Sequence, residues 1–315
     1  METNPYLKDN EVVNNDKEVI LEYEKPQLYK RVFSNIIDMI LVFIVSVSLI
    51  SLSLSIYNKS ESYTNSNKIM NDVKIQSGFY KEIDDTLIFL TDELESATEK
   101  TYEEKYNTIK NITYTFFLDE SGTFFEGNGI QIWHEIISKS DLFELVDGKY
   151  EKRDGVSDLR AYEFYKKFVD ENILGYISKN IDYIDAARAI IIVQIVIFLA
   201  SFFLSIIIFY LVIPLIFYRG KKSLGRLIFK IAFVDFQGIS ASSARFLGKF
   251  ALFFFIEVVL SIFTFGIPLF ISISMVGFSK SGQCLSEYLS GVYAISSDNK
   301  KIYKNVEEYD ETHIN

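Results

Sequence analysis

The chain has 315 residues, of which 49% are apolar, 16% aromatic and 23% charged, and its net charge is −10. Such an apolar content is high for a soluble protein with this many charges, and the apolar residues concentrate in three long runs. The single cysteine, Cys284, excludes an intramolecular disulfide and therefore any disulfide scaffold. Few prolines, together with many Asn, Lys, Ile, Phe and Tyr residues, are typical of an AT-rich genome and indicate a bacterial protein.

The chain begins with a polar segment and a first apolar run. Residues 1–30 predict a cytoplasmic tail that is disordered, because their polar composition shows no helical or strand period. The following run, 31–57, has 26 residues from Val32 onward with one charge, Asp38. At about 1.5 Å per residue it can cross a bilayer core of about 30 Å. The basic residues just before it predict a cytoplasmic N-terminus.

Arg31, Asn35 and Asp38 form a polar stripe on this first predicted span. Their spacing of four and three residues places them along one side of a helix. A lone carboxylate in lipid costs about 2.5–3.5 kcal/mol on insertion scales, so Asp38 should face protein and have a partner. Arg31, directly or through Asn35, is the predicted partner.

Residues 58–185 form the largest polar block, with 15 basic and 26 acidic residues and hence a net charge of −11. If the first span runs outward, this block lies outside the cell. It is long enough for a small folded domain. Apolar residues recur every three or four positions from Leu159 to Ile184, which predicts a mainly helical, extracytoplasmic domain.

The second predicted span, 186–218, is followed by a basic segment, 219–249. The span has no charge from Ala189 to Tyr218. The segment carries seven basic residues and one acid, a net charge of +6, and therefore indicates the cytoplasmic side. Its position between two apolar runs argues against a nucleic-acid interface.

The last apolar run, 250–279, contains Glu257 and a break at Gly266-Ile-Pro268. It predicts either one kinked span or a helical hairpin with a short second arm, which would return the C-terminal segment 280–315 to the cytoplasm. We favour the hairpin. These features predict an all-α integral membrane protein of the cell membrane, with three to four transmembrane segments and the inserted domain described above.

Three stretches of the chain together resemble the RDD family of bacterial membrane proteins. The first contains Arg31 and Asp38 and resembles the opening Arg and Asp of the family. The second resembles the central motifs of the family and the third its closing motif, in which Glu287 replaces an Asp. The central residues that carry the resemblance are Ser223, Gly225, Arg226, Asp235, Gly238 and Arg245. The resemblance covers about 29–57 and 189–295; it implies a role related to transport, with unidentified ligands. It also implies a pairing of Arg31 with Glu287, which requires both residues on one face of the membrane and so favours the hairpin.

The acidic and basic residues near the membrane predict a cluster with two interpretations. Its members are Arg31, Asn35, Asp38, Arg245, Glu257 and Glu287. They could line an ion pathway, or they could pair as a structural lock that fixes the packing of the spans. We favour the lock.

Two functions follow from these interpretations. The first is a transport or ion-pathway component of unknown substrate. The second is a membrane-anchored binding, sensing or assembly protein that acts through 58–185. The lipid bilayer is the predicted environment, and so few spans predict a homo-oligomer or a membrane partner protein.

The sequence predicts neither an enzyme nor a cofactor or metal site. His134 and His313 stand far apart, and neither has ligands near it at metal-binding spacing. Catalytic serine and phosphate-binding glycine motifs do not occur. Cys284 is interpreted as a packing residue.

Overall fold

The computed structural model describes residues 21, 23–146, 149–217, 219–298 and 300–313. It is mostly helical and divides into two compact units. One unit contains the described residues up to Leu52 and from Ile197 onward, and the other is Ser53–Val196.

Three helices are long and apolar enough to cross a membrane, namely Leu28–Tyr57, Ile181–Ile216 and Ser243–Phe263. This confirms the prediction of a mainly helical membrane protein with at least three spans. The first of them is α1 (Leu28–Tyr57). The second consists of α8 (Ile181–Ile207) and α9 (Ile213–Ile216), joined by a π-type turn at Ile208–Val212. The third consists of α11 (Ser243–Leu252) and α12 (Leu260–Phe263), joined by a π-type turn at Phe253–Val259.

The last apolar run is broken where the sequence predicts. Gly266 adopts a left-handed backbone conformation (φ +85°), and the next helix, α13 (Ile267–Phe278), begins directly after it with Pro268 in its first turn. A proline suits this place because the first amides of a helix have no partner within it. With 12 residues, α13 reaches only about 18 Å, which is short of a bilayer core.

The Ser53–Val196 unit contains helices and two strand pairs around an aromatic core. Its elements are α2 (Glu61–Gln76), β1 (Tyr80–Ile83), β2 (Thr86–Phe89), α3 (Leu90–Ser96), α4 (Tyr102–Leu118), α5 (Gly129–Ile137), β3 (Phe143–Val146), β4 (Lys149–Lys152), α6 (Asp158–Phe168), a π-type turn (Val169–Ile173) and α7 (Leu174–Ile177). Phe117 is fully buried at its centre, stacked on Phe125 and Trp133 at centroid distances of 5.0 and 5.3 Å. Aromatic packing of this kind provides much of the hydrophobic stabilisation of a small unit.

The remaining elements pack at one end of the other unit. They are α10 (Leu224–Ile228), β5 (Ile231–Val234), α14 (Leu285–Ser290), β6 (Tyr293–Ser296) and α15 (Val306–His313). β5 pairs antiparallel with β6, and all four of its residues are buried. With β1–β2 and β3–β4, the described residues thus contain three two-stranded sheets within a mostly helical fold.

The predicted disordered tail is ordered where it is described. The Leu21 amide donates to the Gln237 carbonyl, the Ser296 amide donates to the Glu24 carbonyl, and α1 already begins at Leu28. Disorder is therefore the wrong prediction for this part of 1–30. Residues 1–20 and 22 lie outside the described residues.

Acids of the C-terminal segment neutralise part of the basic segment. Asp298 accepts from Lys30 at 2.7 Å and pairs with Lys230 at 3.0 Å. The hydrogen bonds from Lys30 and Lys230 lower the pKa of the Asp298 carboxyl to about 2. Arg219 pairs with Glu308 of α15 at 3.2 Å.

Candidate functional site

The buried face of α1 differs by one residue from the predicted polar stripe. Arg31, Ser34 and Asp38 are buried, whereas Asn35 is exposed. Positions separated by three and four residues lie on the same side of a helix, and Ser34 satisfies that spacing with both charged residues. Asn35 was therefore the wrong choice for the interior of the stripe.

Asp38 is fully buried and bound to the segment that resembles the central family motif. Its two carboxylate oxygens accept from the Ser223 hydroxyl at 2.5 Å and from the Gly225 amide at 2.8 Å. A Cβ on Gly225 would overlap the carbonyl oxygen of Ser34, so only glycine permits this approach of α10 to α1. The acid is thus held by neutral donors, and the predicted pairing with Arg31 does not describe its contacts.

Arg31 pairs with Glu287 instead. Its Nη2 lies 2.6 Å from Oε2 of Glu287, and its Nη1 donates to the Gly282 carbonyl. The same Oε2 accepts from the Cys284 amide at 3.0 Å, which caps the start of α14. Burial raises the pKa of Glu287, but the positive charges of Arg31 and Lys249 outweigh it and lower that pKa. The carboxylate therefore stays ionised and joins α1 to α14.

Glu257 forms a third buried connection. It lies in the π-type turn of the third spanning helix, and its Oε1 accepts from the Ser286 amide at 2.7 Å. This amide is in the first turn of α14, where free N–H groups favour a negative charge. The position of α14 is therefore fixed by two buried contacts. One joins Glu257 to its first turn, and the other joins its own Glu287 to Arg31.

Two buried cations complete the cluster. The guanidinium of Arg226 and the ammonium of Lys249 each lie 4.3 Å from the ring centroid of Phe233, which is fully buried. At this distance a cation is attracted by the negative face of the ring. Neither Lys249 nor Phe233 stands out in the sequence as a member of the cluster. The position of Lys249 at the very start of an apolar run is the feature that could have indicated it.

Arg245 does not belong to the buried cluster. It is partly exposed and pairs with Asp235 at 3.1 Å, away from the acids named above. Burial raises the pKa of Asp235, and the charge of Arg245 opposes this shift. Gly238 lies in the adjoining turn at φ +80°, where a Cβ would overlap the Leu21 carbonyl. These family-like positions therefore shape a turn at the surface of the unit.

Little empty space remains within the cluster. A cavity of about 10 Å³ is bordered by Arg31, Asn35, Arg226 and Glu287. This volume is close to the minimum that one water molecule requires. The three buried acids hold neighbouring elements together.

A larger cavity lies within the Ser53–Val196 unit. Its volume is about 150 Å³, and α4, α5, β4 and α6 border it. Trp133 and Tyr165, both buried, provide aromatic surface with ring centroids 5.4 Å apart. His134 and Tyr150 meet edge to face on another side, at 5.3 Å. Of these residues, only His134 is a candidate from the sequence, and it has no further metal ligand at a suitable spacing.

Charged and polar groups border the same cavity. Lys110 of α4 pairs with Glu151 of β4 at 2.6 Å. Asn111 and Lys149 contribute an amide and a second ammonium group. The cavity thus combines aromatic faces with a few polar groups, which is typical of sites for small molecules.

Comparisons with known proteins identify no relative of this chain. No family model, curated protein or solved structure matches it. The resemblance to the RDD family therefore stays a prediction. In the part of the chain that the structure describes, no three His, Cys, Asp or Glu side chains are grouped as metal ligands would be.

Proposed function

We propose that this protein is a membrane-anchored binding protein whose Ser53–Val196 unit takes up a small molecule. The observation that carries the proposal is the cavity of about 150 Å³ bordered by Trp133, Tyr165, Tyr150 and His134. Pockets that combine aromatic surface with a few polar groups bind small ligands in many proteins.

The contacts of the buried acids favour a lock over an ion pathway. Asp38, Glu257 and Glu287 each accept hydrogen bonds from an element other than their own. Removing the partner of such a group is costly because the remaining charge or donor stays buried. An acid that carries ions needs access to water, and the cavity beside Glu287 has room for about one molecule.

The distribution of charge supports an extracytoplasmic position for the binding unit. Residues 58–185 carry a net charge of −11, whereas 219–249 carry +6, and basic residues favour the cytoplasmic side of a membrane. In this arrangement the spans anchor the protein, and the ligand arrives from outside the cell. An RDD-like core would then serve as the anchor of an added binding unit.

The single tryptophan of the chain, Trp133, provides a direct test because it borders the cavity. The full chain in lipid nanodiscs is titrated with a panel of small acids, amines, sugars and neutral ring compounds. We expect at least one class to change the emission of Trp133 saturably, since the ligand enters the cavity that the indole ring borders.

Two matched variants locate the site. Asn111→Phe adds a ring at the edge of the cavity and should weaken binding at least tenfold, by occupying space that the ligand needs (about 1.4 kcal/mol). Asn65→Phe makes the same change on the exposed surface of α2 and should leave the affinity unchanged. Equal affinities in both variants, or no saturable response to any compound, would contradict the proposed function.

A further inference from the structure

We infer that the ligand of this cavity is a small carboxylate with a single planar ring. The inference rests on the proposed function and adds the chemical class of the ligand. It follows from the volume of the cavity, from the aromatic rings that border it, and from the charge of Lys149, which has no ion pair with any described residue.

The volume and the surface of the cavity indicate one ring. A dry cavity of about 150 Å³ in another protein accommodates benzene, so the same volume here suits a single six-membered ring with a small substituent. Tyr114 and Tyr150, both partly exposed at the cavity, offer ring surface against which such a ring can pack. Aromatic pairs with centroids about 4.5–7 Å apart gain about 0.5–1.5 kcal/mol beyond their burial, which favours a planar ligand over an aliphatic one.

The charges around the cavity indicate an anion. Lys110 and Glu151 neutralise each other at 2.6 Å. Lys149 is exposed at the edge of the cavity, and its ammonium has no ion pair or hydrogen bond with any residue that the structure describes. Among the described residues that border the cavity, the formal charges of Lys110, Lys149 and Glu151 therefore sum to +1. A carboxylate on the ligand would supply the missing negative charge.

A cationic ligand is disfavoured by the same contacts. Glu151 is the only acid among the described residues that border the cavity, and the ammonium of Lys110 already occupies one of its oxygens. That ammonium also lies 5.7 Å from the ring centroid of Tyr106. A second cation would have to displace Lys110 and would meet the charge of Lys149.

Neutral donors at the cavity can assist in holding a carboxylate. The amide of Asn111 can donate two hydrogen bonds, and the imidazole of His134 can donate one. A carboxylate accepts such bonds on both oxygens, and bonds to a charged acceptor are stronger than those between neutral groups. An amide ligand of the same shape would lack this advantage.

The test uses the full chain in nanodiscs and the emission of Trp133, with benzoate, benzamide and benzylammonium as probes of one shape and three charges. We expect benzoate to bind most tightly. Lys149→Gln should weaken benzoate about fivefold, as expected for a partly exposed ion pair worth about 1 kcal/mol, and should leave benzamide unchanged. Lys68→Gln, which removes a lysine from the exposed surface of α2, is the control and should change neither affinity.

The outcomes separate this inference from the proposed function. Equal affinities for benzoate and benzamide, tighter binding of benzylammonium, or no effect of Lys149→Gln would overturn the ligand class while leaving a binding site in place. The same holds if benzoate fails to bind and a sugar or an aliphatic compound saturates the site. If no compound among the acids, amines, sugars and ring compounds changes the emission of Trp133, both the ligand class and the proposed function are overturned.

Discussion

Replacing Glu287 by glutamine is expected to destabilise the folded protein by about 3–5 kcal/mol. This is the usual cost of removing one partner of a buried ion pair. The carboxylate is almost completely buried and lies 2.6 Å from Arg31. Its loss leaves the guanidinium without its counter-charge while Arg226 and Lys249 remain nearby, so three buried cations face two remaining acids.

This destabilisation is measured as the fraction of full-length protein that stays folded after heating or denaturant titration in detergent. The double variant Arg31→Gln with Glu287→Gln should recover part of the loss, because it removes the uncompensated cation as well. Glu307→Gln, an exposed acid on α15, is the matched control and should change stability by less than about 0.5 kcal/mol. A Glu287→Gln protein as stable as this control would show that the pair does not hold the spans.

Gly225→Ala is expected to destabilise the protein by about 1–3 kcal/mol, as overpacking of a tight interior does. The added methyl group would overlap the Ser34 carbonyl oxygen and lie 3.1 Å from Cγ of Asp38. Backbone cannot move aside as a flexible side chain can, so α10 would have to shift away from α1. That shift would lengthen the hydrogen bond from the Gly225 amide to Asp38, now 2.8 Å.

Gly248→Ala makes the same chemical change where it meets no obstacle. A Cβ on Gly248 of α11 has no atom within 4 Å, and alanine favours a helix over glycine by about 0.5–1 kcal/mol. Thermal unfolding of both variants in detergent should therefore shift in opposite directions. A Gly225→Ala protein that unfolds at or above the wild-type temperature would contradict the close contact between α10 and α1.

Much of the membrane architecture could be predicted because apolar length and helix geometry determine it. The three spanning helices and the break at Gly266 follow from the sequence pattern alone. So does the need of Asp38 and Glu257 for partners, since a buried acid must be satisfied. The partners of these two acids could not be predicted, because helix periodicity contains no information on contacts between distant segments. The contact of Arg31 with Glu287, 256 residues away, is expected from the family resemblance and not from periodicity.

The predicted cluster of charged residues near the membrane included Asn35 and Arg245 and omitted Lys249, and each of these errors has a physical reason. Asn35 and Ser34 are neighbours, and the spacing of three and four residues fits either one beside Arg31. Arg245 lies in the first turn of the amphipathic helix α11, and its direction relative to Asp235 depends on the turn at Gly238. The inward position of Lys249 depends on the aromatic ring of Phe233 on a strand that precedes it.

The cavity of the Ser53–Val196 unit could not be predicted from the sequence. Its residues come from four elements, and neither Trp133 nor Tyr150 stands in a motif with fixed spacing. Aromatic residues in such a block are usually interpreted as core, and many here are core. Only the packing of α4 against α6, with β4 beside them, leaves this space open.

Buried charges that anchor the protein without conducting ions should produce no ion flux in proteoliposomes. Full-length protein and Asp38→Asn are reconstituted at matched, folded amounts, and proton, alkali-cation and halide fluxes are measured against protein-free vesicles. We expect wild-type flux to stay at the protein-free level, and we expect Asp38→Asn to lower only the fraction of protein that is folded. Wild-type flux well above that level, abolished in an Asp38→Asn protein that remains stable, would contradict this expectation.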